Sequence, residues 1–198
     1  MEKRGKIIIL IVLIVLILVA LGVFLGIRGN RNYNIEEITT KDYFALYQNG
    51  KVGVINTKGE VLIEPIYDNI QIPNPTKPVF ICLFNYNKQT DTYTTTIRNE
   101  KNEEIFNQYE EVSSIKINGI AGEIPFEKSA LKYKKNNRYG LLGFDGKEIT
   151  KPIYEEIDSL PYKEGEFIVK KDGKYGVINP KGTKMLNWEY DDITGDGY

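Results

Sequence analysis

Hydrophobic and polar residues follow two different patterns along this chain. Residues 7–27 are almost entirely apolar and carry no charged side chain. Beyond residue 42 the apolar residues come in short runs, rich in β-branched and aromatic side chains, that are separated by Gly, Asn, Asp and Pro. A long uncharged apolar run is typical of a transmembrane helix, whereas short runs between turn residues are typical of strands. The pattern therefore predicts one membrane helix followed by an all-β domain.

The apolar run near the N-terminus predicts an uncleaved membrane anchor. At about 1.5 Å per residue it is long enough to cross a hydrocarbon core about 30 Å thick. A cleaved signal peptide is the alternative, but such peptides have a shorter apolar core and a small-residue cleavage site. Three basic residues precede the run, so the positive-inside rule places the N-terminus in the cytoplasm. We expect a cytoplasmic tail (1–6), a transmembrane helix (7–27), a linker (28–42) and an extracytoplasmic β domain (43–198).

One sequence unit is repeated through the β domain. Residues 174–182 have the sequence Lys-Tyr-Gly-Val-Ile-Asn-Pro-Lys-Gly, and residues 51–59 and 138–146 are variants of it. Each of these copies is followed by a tyrosine and then by an acidic residue. In a fourth, degenerate copy, Tyr109 occupies the position of this tyrosine, which we call the tyrosine slot. Thr95 then occupies the position of the first glycine of the unit, which we call the inner glycine. Self-similarity of this kind is typical of solenoids, propellers and arrays.

Turn-forming residues divide each unit into strands. Asn49-Gly50 and Asp172-Gly173 are typical of two-residue hairpin turns, in which both central residues need a positive φ. Each unit is thus predicted to be a three-strand antiparallel meander, with the segment around the slot tyrosine leading to the next unit. The unequal unit lengths favour an open or curled array over a closed small propeller, which remains an alternative. We predict about four tandem β-meander units, at about 43–72, 79–117, 129–160 and 166–198.

The inner glycines Gly53, Gly140 and Gly176 lie in the middle of predicted strands. A strand glycine usually marks a bulge or a place where another group approaches closely. Because these glycines recur at one phase, we expect a neighbouring unit to cross each unit there. Residues 93–97 alternate poorly between apolar and polar side chains, which predicts an exposed edge strand in the degenerate unit.

This unit resembles the repeat of the WG-repeat family. Units of that family follow the pattern Lys-Trp-Gly-Val-Ile-Asp-x-x-Gly-Lys, then an apolar strand, then Pro-x-Tyr-Asp. The resemblance covers about residues 43–198, with three good copies and one degenerate copy. The tryptophan of the family is replaced by Val52, Tyr139 and Tyr175, and the single tryptophan, Trp188, occupies a proline slot. The resemblance implies a β-repeat binding or scaffold role and no reaction.

The amino-acid composition excludes several kinds of catalytic and metal-binding site. The chain contains no histidine, which excludes Ser-His and Cys-His nucleophiles and histidine-based zinc sites. Its net charge of −1 comes without a dominant basic patch, so nucleic acid is not an expected partner. The single cysteine, Cys82, lies in an apolar run and is predicted to be a buried, inert thiol. We expect no enzyme activity, no cofactor and no metal ion.

Acidic residues offer two remote alternatives. Neighbouring acids could serve a carboxylate-based hydrolase, but these pairs recur with the repeat, as scaffold residues do: Glu110-Glu111, Glu155-Glu156 and Asp191-Asp192. Asp191, Asp192 and Asp196 could hold calcium, but their spacing does not match a calcium loop. We predict that the recurring acids form turns and make cross-unit ion pairs with Lys51, Arg138 and Lys174.

The slot tyrosines are the candidate binding residues. Tyr67, Tyr109, Tyr154 and Tyr190 recur at one phase, which favours packing between units with each hydroxyl bonded to a backbone group. The alternative role is an aromatic shelf for a sugar or a peptide. On that hypothesis the binding residues are Tyr67, Tyr154, Trp188 and Tyr190.

The expected function follows from the anchor and the repeats together. We expect a single-pass, non-enzymatic membrane protein that presents a β-repeat surface to a protein or a cell-wall glycan outside the cell. The alternative is a purely structural stalk, or an accessory subunit of another membrane protein.

Overall fold

The computed structural model of the chain describes residues 41–117 and 126–194. The predicted cytoplasmic tail, the transmembrane helix at 7–27 and nearly all of the linker lie outside these residues. Within the described part, no helix has the length and apolar character needed to cross a membrane.

The described residues form thirteen strands and no helix, so the all-β prediction for this part of the chain is confirmed. The strands are β1 Tyr43–Gln48, β2 Lys51–Asn56, β3 Val61–Tyr67, β4 Asn69–Gln71, β5 Phe80–Asn87, β6 Thr92–Arg98, β7 Glu111–Ser113, β8 Leu131–Lys135, β9 Arg138–Leu142, β10 Glu156–Ser159, β11 Phe167–Lys171, β12 Lys174–Ile178 and β13 Lys184–Tyr190.

The strands form four antiparallel sheets, one for each predicted unit. Sheet 1 contains β1-β2-β3, sheet 2 contains β4-β5-β6, sheet 3 contains β7-β8-β9 and sheet 4 contains β10-β11-β12-β13. The segment after each slot tyrosine does more than connect two units. Residues Asn69–Gln71, for example, pair with β5 and form the first strand of the next sheet. Sheets 2, 3 and 4 therefore each begin one strand earlier than the sequence repeat.

The hairpin turns have the predicted backbone conformation. Asn49 and Gly50 have φ angles of 51° and 73°, and Asp172 and Gly173 have φ angles of 52° and 76°. These positive values give the type of turn whose twist matches that of the two flanking strands. The turn residues thus fix the register of the β1–β2 and β11–β12 hairpins.

The hydrophobic core lies between consecutive sheets, in three clusters. Phe80 and Cys82 of β5 pack in the cluster with sheet 1, whereas Ile81 and Leu83 pack in the cluster with sheet 3. Because both faces of such a strand are covered, its sequence is a continuous apolar run. None of the clusters among the described residues joins the first sheet to the last, which favours the predicted open array.

Cys82 illustrates this two-sided burial. Its side chain is fully buried between sheets 1 and 2, and burial raises the pKa of the Cys82 thiol to about 12. Only the thiolate is a good nucleophile. The prediction of a buried thiol is therefore confirmed, and the raised pKa makes that thiol unreactive.

Gly53 and Gly176 are needed because the last strand of the same sheet bulges over them. Val52 and Val54 of β2 pair with Tyr67 and Ile63 of β3, so two extra residues of β3 lie opposite Gly53. A Cβ atom on Gly53 would lie 2.3 Å from the carbonyl oxygen of Ile63. The prediction that a neighbouring unit crosses each unit at this point is wrong.

The glycine slot of the degenerate unit is Thr96 rather than Thr95. Asn56, Asn99 and Asn179 make equivalent turns, in which the side-chain oxygen accepts hydrogen bonds from backbone N–H groups two and four residues later. Asn56 and Asn179 each lie three residues after an inner glycine, and Thr96 lies three residues before Asn99. The degenerate unit is one residue shorter between this turn and its tyrosine, so an alignment on the tyrosine misplaced the slot.

Candidate binding site

The slot tyrosines join each sheet to the next. Tyr67 and Tyr154 are 7% and 3% exposed. The hydroxyl oxygen of Tyr67 accepts a hydrogen bond from Nε of Arg98 at 2.7 Å, a side-chain partner rather than the backbone group we expected. Each ring contacts an aromatic ring of the following sheet: Tyr67 and Phe84 at 5.9 Å between centroids, Tyr109 and Tyr133 at 4.5 Å, and Tyr154 and Trp188 at 6.4 Å.

The four candidate binding residues do not form one surface. Tyr67 packs between sheets 1 and 2, whereas Tyr154 and Trp188 pack between sheets 3 and 4. Tyr190 is 40% exposed at the end of β13. The Trp188 indole N–H is buried and has no hydrogen-bond partner within the described part of the chain. A binding role for these residues stays a prediction.

Lysine side chains lie over the other repeat aromatics. Nζ of Lys170 lies 5.0 Å from the ring centroid of Tyr175, and Nζ of Lys132 lies 5.2 Å from that of Tyr139. Lys171 lies 5.2 Å from the Trp188 ring. An ammonium group over a ring is held there by a cation–π interaction. A sugar that stacked on any of these rings would have to displace a lysine.

The recurring charges form ion pairs inside each repeat. Lys51 binds Asp68 with an Nζ to Oδ1 distance of 2.6 Å, and Lys174 forms the equivalent pair with Asp191. The hydrogen bond from Lys51 lowers the pKa of Asp68. These pairs are exposed to solvent and add little to stability. The prediction that the ion pairs cross between units is wrong, because both partners belong to one sequence repeat.

Acids that follow the slot tyrosines do connect one unit to the next, but they bind backbone N–H groups rather than basic side chains. A carboxylate oxygen of Glu110 accepts a hydrogen bond from the N–H of Asn136 at 2.6 Å, and Glu155 accepts one from Gly173 at 3.3 Å. In both cases the acid caps the hairpin turn of the following sheet. This contact explains why an acid follows Tyr109 and Tyr154.

The second acid of a pair also makes scaffold contacts. Glu156 accepts hydrogen bonds from Nζ of Lys170 at 3.3 Å and from the hydroxyl of Tyr175 at 3.0 Å. Over residues 41–117 and 126–194, no three acidic or cysteine side chains are grouped to hold a metal ion. Asp196, a member of the calcium alternative, lies outside those residues.

Sheets 2 and 3 both lack a paired last strand, and the edge of sheet 2 is the less covered of the two, because the segment after β9 makes two bridges, Tyr139 to Tyr154 and Leu142 to Glu148. In sheets 1 and 4, β3 and β13 cover the strand that carries the inner glycine. After β6 the chain makes one bridge, Arg98 to Glu104, through hydrogen bonds from Ile105 N–H to Ile97 O at 2.9 Å and from Asn99 N–H to Glu103 O at 3.1 Å. Phe106 then has a φ of 64°, and its ring lies against Gly146 of sheet 3. The predicted exposed edge strand is confirmed, and it is β6.

Two clefts flank this open edge. The first cleft lies between sheets 1 and 2, has a volume of about 660 Å³ and includes Tyr67 and Phe84 in its lining. The second cleft lies between sheets 2 and 3, has a volume of about 760 Å³ and includes Ile97 in its lining. Thr95, Thr96 and Glu104 line both clefts. The two clefts therefore adjoin along β6.

Sequence reasoning found this site only in part. Residues 93–97 were predicted as an edge, and the unit that contains them was identified as degenerate. In that unit Thr94 stands where the other units carry Lys or Arg, and Thr96 stands where they carry glycine. These departures were the available signal. They did not show that the clefts on both faces of the sheet would open together.

Glu127 is a buried acid that sequence reasoning missed. Its side chain is fully buried, and both carboxylate oxygens lie 3.0 Å from the N–H of Gly165. The hydroxyl of Ser129 lies 3.3 Å from Oε2. Burial raises the pKa of Glu127. The side chain thereby holds the segment before β8 against the loop before β11.

We expect the stability contribution of Glu127 to depend on pH. Because the pKa is raised in the folded state, this contribution is fully present below the ordinary glutamate pKa of about 4.3. It is lost as the pH rises through the folded-state value. Glu127→Gln removes the titration, so its melting temperature should improve relative to wild type between pH 4 and pH 7. Parallel profiles for Glu127→Gln and wild type would contradict the assignment.

Comparison with known proteins gives one match. The model of the family described as WG containing repeat matches residues 53–73 and 139–175. These segments contain the inner glycine and the slot tyrosine of the first and third units, and the second segment reaches Tyr175 in the fourth unit. No curated protein and no solved structure matches the chain significantly. The units around β2 and β9 are thus similar to repeats of the WG containing repeat family.

Proposed function

We propose that this chain is a single-pass, membrane-anchored, non-enzymatic β-repeat protein that presents a protein-binding surface outside the cell. One observation carries the proposal: an unpaired strand edge, β6, lies between two adjoining clefts. Clefts of about 300–1,000 Å³ are typical of binding sites, and a free strand edge is a common means of binding an extended chain.

Two features favour a protein partner over a glycan. Lysines lie over the rings of Tyr139, Tyr175 and Trp188, which leaves these repeat aromatics poorly suited to stack on a sugar. The clefts beside β6 instead offer apolar side chains next to unpaired backbone groups. That combination suits an extended polypeptide, which supplies both its own backbone partners and its own side chains.

A non-enzymatic role is supported by the contacts of the recurring acids. Glu110 and Glu155 cap hairpin turns, Glu156 binds a lysine and a tyrosine, and Asp68 and Asp191 bind lysines. Each of these carboxylates has a scaffold role. A pair of acids that faced one cleft across a substrate would instead indicate hydrolysis.

The membrane part of the proposal rests on the uncharged run at 7–27 and the basic residues before it. We expect protease added to intact cells to remove the repeats and to leave a short membrane-bound N-terminal fragment. A cytoplasmic protein should remain uncut in the same sample. Repeats that stay protected while a surface marker is cut would contradict the extracytoplasmic placement.

A structural role as a stalk or accessory subunit is the second candidate, and one observation favours it. Ile66 and Ile153 occupy the same position in two repeats and are 64% and 42% exposed. A recurring exposed apolar side chain could pack on another membrane protein.

Crosslinking inside cells separates the two functions. A photo-reactive amino acid at Thr94 would report on the first cleft, and the same amino acid at Ile153 would report on the apolar positions. We expect a protein to be captured from position 94. Capture from position 153 alone would favour the structural role.

A further inference from the structure

We propose that β6 binds an extended peptide segment by β-strand addition, and that this segment alternates apolar and basic residues. The segment would occupy the position of the missing last strand of sheet 2, where β3 and β13 lie in sheets 1 and 4. The inference deepens the proposed function and rests on it for the cellular partner, whereas the site itself is tested with a synthetic peptide.

The backbone of β6 offers hydrogen-bonding groups at its open edge. Ile105 N–H donates to Ile97 O from the side opposite β5. Backbone groups of alternate residues in a strand point to the same side. Both backbone groups of Thr95 and Tyr93 therefore point outward, where no described strand pairs with them, whereas Ile105 already lies opposite Ile97. An added strand would supply their partners.

The edge lacks the features that usually prevent such pairing. Natural edge strands are protected by charged side chains, by proline or by cover from another element. Residues 92–97 contain no charged residue and no proline, and Thr92 to Thr95 are exposed. The buried hydroxyl of Thr96 has no hydrogen-bond partner within the described part of the chain. This edge is open to a strand of suitable length.

The two clefts would receive alternate side chains of the added strand. Side chains of successive residues point to opposite faces of a sheet. One set would enter the first cleft, which is lined by the rings of Tyr67 and Phe84. The other set would enter the second cleft, where Ile81, Leu83 and Ile97 contribute apolar surface.

The charged residues of the two clefts indicate which side chains of the added strand would enter each cleft. The second cleft carries Glu104, Glu110 and Glu111 against one base, Lys116, so basic side chains suit it, with their aliphatic stems along its apolar surface. In the first cleft Lys51 and Asp68 are already paired with each other. The aromatic rings there suit apolar side chains.

A second copy of the chain fits this edge less well than a single segment does. Residues of sheets 1 and 3 line the clefts on either side of β6. The β6 edge of a second copy would be flanked in the same way, so the flanking sheets of the two molecules would collide. A single extended segment has no such flanks.

The test uses the full-length chain in a non-ionic detergent and three kinds of labelled peptide of about eight residues, the length of a strand. The first alternates Val and Lys, and the second alternates Val and Glu. The third kind comprises two methylated Val-Lys peptides. One carries methyl groups on the backbone nitrogens of its valines, and the other carries them on the backbone nitrogens of its lysines. Fluorescence anisotropy measures each affinity.

We expect the Val-Lys peptide to bind at least about tenfold more tightly than the Val-Glu peptide. One of the two methylated peptides should lose about tenfold, because its methyl groups replace the N–H groups that face β6, and about tenfold is the loss of one or two hydrogen bonds. The other methylated peptide should keep its affinity, since its methyl groups face solvent. Equal binding of the Lys and Glu peptides, or equal binding of both methylated peptides, would overturn the proposal.

A protein variant tests the same contact from the other side. Thr95→Pro removes an outward N–H without removing a bond to β5, and it should weaken Val-Lys binding by about tenfold. Thr95→Val keeps the N–H and should bind normally. If the melting temperature of Thr95→Pro is well below that of Thr95→Val, the proline has destabilised the fold. The binding of the two methylated peptides then decides whether the proposal stands. Self-association of the wild-type chain that Thr95→Pro abolishes would assign the edge to a second copy and overturn the proposal.

Failure of this inference is distinguishable from failure of the proposed function. A protein captured in cells from position 94 with equal yield in wild type and Thr95→Pro would overturn strand addition and leave the proposed function standing. Binding of the Val-Lys peptide that is lost in Thr95→Pro, with no protein captured in cells, would support the site and overturn the proposed function.

Discussion

Replacing Tyr133 by alanine is expected to lower the free energy of unfolding by about 3–5 kcal/mol. The Tyr133 side chain is fully buried, and its ring packs 4.5 Å from that of Tyr109 in the cluster between sheets 2 and 3. Its hydroxyl donates to the carbonyl oxygen of Thr150 at 3.0 Å. Alanine would leave a large cavity and an acceptor without its donor, both of which destabilise the folded state.

Two control variants separate these contributions. Tyr133→Phe keeps the ring and loses one hydrogen bond, so we expect a loss of about 1 kcal/mol. Tyr47→Ala removes a tyrosine that is 74% exposed and should change stability little. Urea unfolding of the full-length chain, followed by Trp188 fluorescence, measures all three. Equal losses for Tyr133→Ala and Tyr133→Phe would show that the ring is not part of a packed core.

Gly53→Ala is expected to lower the free energy of unfolding by about 3 kcal/mol, at the upper end of the usual range for overpacking. The added Cβ would lie 2.3 Å from the Ile63 carbonyl oxygen and 2.8 Å from the backbone nitrogen of Pro65. These are backbone atoms of β3, so they cannot move aside by changing a rotamer. The strand would have to shift, which would disturb the pairing that positions Tyr67.

The same slot in sheet 2 provides the matched control. Thr96 already carries a Cβ, and its hydroxyl lacks a partner within the described part of the chain. Thr96→Ala should therefore be neutral or slightly stabilising, because it removes a buried polar group without removing a bond. Thermal melts of Gly53→Ala and Thr96→Ala should shift by clearly different amounts. Equal shifts would mean that the bulge of β3 does not explain the glycine.

Gly53 and Thr96, which occupy the same position in sheets 1 and 2, show how the repeat scaffold is related to the candidate binding site. Where the last strand bulges over the slot, as at Gly53 and Gly176, only glycine fits. In sheet 2, whose last strand is missing, threonine fits and the strand edge is open. In sheet 3 the Tyr133 ring and the Thr150 carbonyl oxygen crowd the slot instead, so Gly140 is needed there. The degenerate repeat and the candidate binding site are therefore two consequences of one local change in the chain after Asn99.

Local features of this domain can be predicted from the amino-acid sequence alone. Turn pairs such as Asn49-Gly50 require positive φ angles, and short β-branched runs between them can only be strands of a sheet. Repetition of that unit predicted about four meander units, and the apolar run around Cys82 predicted a buried thiol. Such properties depend on residues close together along the chain, so a pattern of neighbours was enough to predict them.

The tertiary structure alone decided how distant segments meet. It showed that Asn69–Gln71 begins the next sheet, that β3 bulges over Gly53, that Glu127 is buried beside Gly165, and that no described strand pairs with the outer side of β6. Each of these depends on which backbone groups find partners across a strand pair or between sheets. A difference of one residue, as between Thr95 and Thr96, changes that pairing without changing the local pattern.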